Sequence, residues 1–381
     1  IYNRYEKESP YPLKSWVRWE KLHFLSGMRG GDSTDGASVE EHDIRLWNKD
    51  RENAEIDKIV QLVTTDHVDV LKKTKLTDYE IAFERKEVHL NAVFPTLYHY
   101  TSIKLLEYFQ ENGYSRRSNL TEEEANAMLL NAADFIKVDM ETRTFENERA
   151  KLVLKIYQDI TRFSWERGET FATEWFNLHR ITQNSSVLFA NKSDAYWKFV
   201  ADLGKKSSVK AIALEVDRLI IQRDYQLLKQ KVNVSKQEWD ALIARVDAHS
   251  KAIVLYKYLP NVKGIKNEIV AQAIEVTTEA RNAINRSILA KVRYRNVNQL
   301  NYEIYQLNDQ DKRGSKIAGK LVQLPSTGNY NSENVEFFIE SLPQGNYELV
   351  IPAEGNAIEA STIFTVSPFT ISVLGDDIYV N

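Results

Sequence analysis

The chain has 381 residues, 50 Lys and Arg against 54 Asp and Glu, 43% hydrophobic residues and no cysteine. The length suits roughly two to three domains, and 27% charged residues at that hydrophobic content is an ordinary globular composition rather than a disordered one. A net charge of -4 argues against a nucleic-acid binder, and the absence of Cys removes disulfides, cysteine-ligated zinc, iron–sulfur clusters and thiol nucleophiles.

No apolar run approaches the ~18–20 residues of a membrane-spanning helix, so no transmembrane segment is expected. No signal-peptide pattern is visible. The chain opens with Ile1, not Met, which reads as a processed protein or an excised piece and leaves room for an export signal before it.

In chain order, Trp16, Trp19, Phe24 and Trp47 crowd the first segment. They read as fillers between helices. Gly27 to Glu41 is rich in Gly, Ser and Asp and reads as a mobile loop. From Ala54 to Leu71 the residues Ile56, Ile59, Val60, Val63, Val68 and Leu71 fall near helical spacing. Pro95 is expected to open a second helix carrying Leu97, Tyr98, Ile103, Leu105, Leu106 and Phe109, with Gly113 ending it. Further helices are expected over Arg149–Phe163, Asp194–Leu203, Val209–Leu228, Glu238–Tyr258 and Ile265–Ile284. Capping boxes pair Thr77 with Glu80, Thr121 with Glu124 and Ser235 with Glu238. Short polar connections favour antiparallel helical hairpins. The first territory therefore reads as an irregular, solenoid-like helical domain over 1–285, without a strict 34-residue repeat.

Near residue 287 the pattern changes. All seven Trp and all seven His lie before it, and four of the eight Pro and six of the fourteen Gly lie after it. From Lys291 onward there are 7 Lys and Arg against 11 Asp and Glu, so the acidic excess belongs to this tail. Ile288, Ala290, Val292 and Tyr294 alternate with Leu289, Lys291, Arg293 and Arg295 in the period of a strand. Leu300–Tyr305 follows after a turn at Asn296–Asn298. Lys320–Leu324, Val335–Ile339, Tyr347–Ile351, Ser361–Val366 and Phe369–Leu374 are further expected strands. Seven short strands at this spacing predict a β-sandwich over 286–381.

No motif assembles a reaction. Gly314 to Lys320 fits GxxxxGK, but Leu321 stands where a phosphate-binding loop needs Ser or Thr and strand-like residues follow, so it reads as a flexible hairpin connection. Asp32-Ser-Thr-Asp35-Gly36 puts Gly31 and His42 where a calcium loop needs carboxylates. His42 beside Glu40, Glu41 and Asp43 reads as a solvated acidic face. Glu122, Glu123 and Glu124 favour the positive end of a helix dipole. The sequons at Asn119, Asn184, Asn191, Asn233 and Asn285 read mainly as helix-capping sequence. No catalytic, cofactor-binding or metal-ligating residue is nominated, and no enzyme activity or cofactor is expected.

Four segments carry a resemblance. They are Phe94-Pro-Thr-Leu-Tyr-His-Tyr100 with Leu105-Leu-Glu-Tyr-Phe109, the stretch Ser287 to Tyr305, Leu342-Pro-Gln-Gly-Asn-Tyr-Glu-Leu-Val350, and Phe364-Thr-Val-Ser-Pro-Phe-Thr-Ile-Ser372. Together they resemble the N-terminal region of bacterial alpha-2-macroglobulin-like proteins, particularly the large cell-envelope type with an added helical region. The resemblance implies a macroglobulin-like, immunoglobulin-like sandwich whose first strand pair is Ser287 to Tyr305, and a closing or linker strand at Val366–Leu374. It implies a scaffold or docking fragment of a protease trap in the periplasm or at the outer-membrane surface. Its partners would be proteases, met through the full-length parent, and other envelope proteins or peptides. The family's thioester and bait segment lie downstream of this region, so no functional residue carries over. The alternative reading is a surface module whose helices bind a glycan or peptide, with the β-domain as spacer.

Overall fold

The computed structural model describes residues 49–65, 68–77, 93–111, 127–141, 148–183, 192–256, 259–325, 328–353, 359–368, 371–374 and 377–380. The Gly27–Glu41 segment, Trp16, Trp19, Phe24 and Trp47, His42 and its acidic neighbours, Gly113, Glu122–Glu124 and the caps at Thr121 and Glu80 lie outside the described residues. The protein is α plus β, in two compact units, 1–217 and 218–381.

The first unit is helical where described. Its helices are α1 (Lys49–Thr64), α2 (Val68–Lys73), α3 (Leu97–Glu111), the single turn α4 (Ala132–Phe135), α5 (Glu148–Glu166), α6 (Thr170–Gln183) and α7 (Asp194–Lys206). The helical stretch expected from Ala54 to Leu71 is thus two helices, broken after Thr65. Thr64 and Thr65 hydroxyls donate back to Val60 and Gln61 carbonyls, the competition by which Thr ends a helix.

Helix α3 starts at Leu97, two residues after Pro95. Thr96 is its N-cap, its carbonyl accepting from the Tyr100 N–H. The first-turn N–H of Leu97, which has no partner within the helix, donates to the Thr74 carbonyl. Nearly every side of α3 is covered: Leu97, Tyr98, Tyr100, Leu105, Tyr108 and Phe109 are all buried. A helix apolar or buried all round belongs at the centre of its unit. Helices α5 and α6 form a hairpin through Arg167, Gly168 and Glu169, where Gly168 takes φ +67°. That left-handed turn is open to glycine at no steric cost. Helix α6 is not among the elements expected from the sequence, although Phe171, Trp175, Leu178 and Ile181 fall at helical spacing. A longer helix, α8 (Lys210–Gln230), continues from the first unit into the second.

Among the described residues, the second unit joins the rest of α8, α9 (Lys236–Ala252), a 3-10 turn (Ile253–Leu255) and α10 (Lys263–Val270) to ten strands. Ser235 caps α9 through the full reciprocal box with Glu238, as the sequence predicts. The helices share a core of Ile221, Tyr225, Trp239, Leu242, Val246 and Ile269.

The helix expected over Ile265–Ile284 is a correction. Helix α10 stops at Val270, and β1 (Ala273–Thr278) and β2 (Arg281–Ala283) follow at once. The change from helix to strand therefore lies near Gln272, not 285. The reason is tertiary. Asn296 Nδ2 donates to the carbonyls of Ile269 (2.8 Å) and Ala271 (3.0 Å), and the Arg295 guanidinium donates to those of Glu268 and Ala271. Orphan carbonyls of the helix end are thus met by a turn from the sandwich, and a cation sits at the negative end of the dipole.

The remaining strands are β3 (Ile288–Arg295), β4 (Gln299–Leu307), β5 (Arg313–Gln323), β6 (Glu333–Ile339), β7 (Gly345–Ile351), β8 (Ala360–Ser367), β9 (Ile371–Leu374) and β10 (Asp377–Val380). One sheet has the order β1-β3-β6 and another the order β2-β8-β7-β4-β5; β2 and β8 are parallel and the other pairs antiparallel. Their inward residues share one core, including Val276, Val292, Ile304, Leu349 and Phe364. Tyr302 of one sheet stacks on Phe337 of the other with ring centroids 4.9 Å apart. The strict alternation read in Ile288–Arg295 is present as buried and exposed positions in turn.

Three expectations need correction here. Ser287 to Tyr305 is not a strand pair: β3 and β4 lie in different sheets, and Asn296, at φ 56°, carries the chain across. Gly314–Lys320 is not a flexible connection but part of edge strand β5. The expected strands Ser361–Val366 and Phe369–Leu374 do part at Pro368, but the closing or linker strand implied over Val366–Leu374 is not one element. Strand β8 lies inside the five-stranded sheet, while β9 pairs with β10 in a separate hairpin. A proline cannot donate a ladder bond, so the break falls where chemistry puts it.

Candidate functional site

The helical unit buries several polar side chains. His99, Ser102, Thr161, Ser164 and Arg180 are each fully buried. His99 stands at the third position of α3. Its Nδ1 accepts from the Thr96 backbone N–H (3.3 Å) and lies 2.8 Å from Thr96 Oγ1. This is the return half of a capping box with imidazole in place of carboxylate. Because Nδ1 accepts, the ring hydrogen is assigned to Nε2, which lies 2.9 Å from Ser164 Oγ.

Glu169 Oε2 is 3.2 Å from the same Nε2 but receives no well-directed hydrogen bond. Burial raises the Glu169 carboxyl; contacts from His99 and the Arg167 guanidinium more than offset this and hold it below the usual range. Burial lowers the His99 imidazole despite the nearby carboxylate. Ser, His and Glu thus meet, yet the arrangement does not activate the serine. Ser164 donates its own proton to the Ile160 carbonyl at 2.9 Å, and the facing imidazole nitrogen already holds a hydrogen. The trio knots α3 to α5 and to the turn before α6.

Arg180 of α6 is the second knot. Its guanidinium donates to the carbonyls of Met128 (2.8 Å) and Leu130 (2.7 Å) and to Asn177 Oδ1 (2.9 Å), and lies 3.8 Å over the Phe135 ring. No carboxylate among the described residues pairs with it. Burial pushes it down to about 9. Gln158 donates to the Phe135 and Val138 carbonyls, and Arg162 to that of Ile136. The irregular segment 127–138 therefore has its backbone acceptors satisfied by side chains of α5 and α6 rather than by regular structure.

Beside that segment lies a cavity of about 240 Å³. Ala132, Ala133, Leu178, Leu203 and Ile212 give it an aliphatic floor, and Trp165, half exposed, forms one wall. Asn131, Asn177, Glu174, Ser207 and Lys206 supply its polar groups. Glu174 is engaged internally: it accepts from the Ser207 hydroxyl in a short contact and from Ser208 Oγ at 3.3 Å, tying α6 to the turn between α7 and α8. A second cavity, of about 390 Å³, opens where β1 begins and β7 ends, with Gln272, Asn298 and Gln299 above Ile274, Leu300 and Ile351.

The motifs singled out in the sequence do not converge on either cavity. Gly314 and Gly319 lie where β5 crosses β4 so closely that an added Cβ would stand 2.8 and 2.9 Å from the Gln306 and Tyr302 carbonyl oxygens. Their glycines serve strand pairing, not phosphate. Of the sequons, those at Asn191 and Asn233 end on Ser193 and Ser235, which are the N-caps of α7 and α9. Asn233 and Asn285 themselves adopt φ 64° and 59°, the left-handed turn conformation that Asn tolerates. Among the described residues no group of three or more His, Cys, Asp or Glu converges as a metal site, and no helix is long and apolar enough to cross a membrane. The residues that matter in the helical unit, His99, Asn177, Arg180 and Lys206, carry no motif; the i, i+3 pairs of Thr96 with His99 and of Asn177 with Arg180 are their local signals.

No family model and no curated protein matches the chain. Among solved structures, the CARDB domain of a Pyrococcus furiosus protein in complex with di-metal ions is similar to part of it. The match covers 25% of this chain and 92% of that one, at 14% identity and a TM-score of 0.18, a score that carries no argument about fold or metal binding here.

Proposed function

We propose that this chain is a non-catalytic scaffold and docking region of an alpha-2-macroglobulin-like protease trap of the bacterial cell envelope. In that reading the first unit is an irregular helical-hairpin array and the second carries a macroglobulin-like sandwich. The supporting observation is where the resembling segments fall. Phe94–Phe109 forms the most buried helix of the first unit. Ser287–Tyr305, Leu342–Val350 and Phe364–Val366 supply β3, β4, β7 and β8, which furnish most of one sandwich core. The resemblance thus rests on residues that build the interior, as expected of a scaffold rather than of a site.

The test uses the parent protein with its own downstream sequence, incubated with trypsin. A trap leaves cleavage of a small chromogenic peptide intact while cleavage of a large protein substrate is lost. Equal loss or equal retention of both activities rejects the trap, as does a parent with no further sandwich domains.

The second reading is a binding module whose helices take a peptide. It is favoured by the 240 Å³ cavity with its half-exposed Trp165.

A further inference from the structure

The cavity between α4, α6 and α7 holds a specific chemical instruction. Its floor is aliphatic, so it takes an apolar group. Pockets for drug-sized molecules usually measure about 300–1,000 Å³; at about 240 Å³ this one suits something nearer a single large side chain.

The polar groups facing it divide into engaged and unengaged. Glu174 spends its oxygens on Ser207 and Ser208, and Asn131 is bonded to Asp134 through both its Oδ1 and its Nδ2. Asn177 is only 3% exposed, and its Oδ1 takes the Arg180 guanidinium, which can only donate and so fixes the amide orientation. Its Nδ2 is left without a hydrogen bond among the described residues, although the side chain lines the cavity. A side-chain N–H that opens onto a cavity can donate to an acceptor on a ligand seated there. Lys206, on the rim, has no carboxylate within ion-pair distance among the described residues, Glu174 included. The unengaged groups are therefore both donors, one of them cationic.

We infer that this cavity binds the C-terminal residue of a peptide ending in an aliphatic or aromatic side chain, with the side chain on the Ala132–Leu178–Ile212 floor, a carbonyl or carboxylate oxygen on Asn177 Nδ2 and the terminal carboxylate on Lys206. The inference deepens the binding-module reading and rests on it, and is independent of the protease trap. A backbone acceptor beside a terminal carboxylate and one apolar side chain satisfies both donors at once. A fatty acid brings the carboxylate but no amide, and a chain too long for the cavity.

The test titrates the full chain by calorimetry with N-acetyl-Gly-Leu, with its C-terminal amide and with decanoate. Tryptophan fluorescence of the chain and of Trp165→Phe reports whether the signal comes from this wall. The free acid is expected to bind, and amidation or Lys206→Gln to weaken it at least about tenfold, the scale of one charge-assisted hydrogen bond. Ala133→Leu, which narrows the floor, is expected to abolish binding. Melting curves of the variants confirm that each is folded. No binding of the acid at millimolar concentration, equal binding of acid and amide, full affinity in Lys206→Gln, or tighter binding of decanoate overturns the inference. A failed trypsin assay leaves this result standing, and a failed titration leaves the trap reading standing.

Discussion

Arg180 and His179 sit side by side in α6 and show how burial sets the behaviour of single groups. Arg180 answers three acceptors with one planar fork, a geometry an ammonium cannot copy. Arg180→Lys is expected to strand the Met128 and Leu130 carbonyls and lower the stability of the helical unit by about 2–4 kcal/mol, read as a shift in the denaturation midpoint. A midpoint within error of the parent would show that water replaces the fork. His179 stacks on Trp175 at 4.6 Å and meets the Tyr157 hydroxyl at 2.6 Å, and burial pushes its imidazole down to about 3. An unfolded histidine titrates near 6.5. Between those values the unfolded chain binds a proton that the folded chain refuses. Stability is therefore complete above about pH 6.5 and is lost progressively as pH falls toward 3; His99, lowered in the same direction, adds to the loss. The helical melting temperature should fall from pH 7 to pH 4, and His179→Phe should flatten that slope. An unaltered slope in the variant would assign the effect elsewhere.

At the scale of elements, edge strand β5 is informative because one residue type is needed twice. Gly319→Ala would place a Cβ 2.9 Å from the Tyr302 carbonyl oxygen and 3.1 Å from Lys316 Cε. The side chain can give way; the carbonyl cannot without breaking the ladder. A destabilisation of about 1–3 kcal/mol is expected from that crowding, measured by urea unfolding of the sandwich. Lys320→Ala, on the same strand and outside this contact, should leave stability unchanged and should not alter any magnesium–ATP signal. Saturable ATP binding lost in that variant would reinstate the phosphate reading. The α10–β3 junction gives a second element-level test. Asn296→Gly keeps the left-handed turn open but removes two hydrogen bonds to the helix end, so it should cost about 1–2 kcal/mol.

For the whole molecule, where the compact unit begins decides what folds alone. A fragment starting at 286 lacks β1, which supplies Val276 to the core and pairs with β3, and β2, which pairs with β8. It is expected to aggregate or melt without cooperativity. A fragment starting at 208 keeps α8 whole and should show one sharp transition. Two equally cooperative melts would place the border back at 285. Cutting after Ser367 removes only β9 and β10, which pair with each other. The sandwich transition should then persist, and a large drop would mean that the hairpin covers the core.

Period and punctuation alone determined much of this protein. The helices at Glu148, Asp194, Lys210 and Lys236, the capping box at Ser235, and strands β3, β4, β6, β7 and β8 were all legible, because each repeats its apolar residues at the spacing of its own backbone. What escaped depends on partners distant in sequence. Helix α10 ends where Arg295 and Asn296 reach its carbonyls, and β3 and β4 part into two sheets at one left-handed asparagine. The candidate pocket belongs to this second class. Asn177 and Lys206 are unremarkable in the sequence, and only the packing of α6 against α7 brings one amide and one ammonium to an apolar floor.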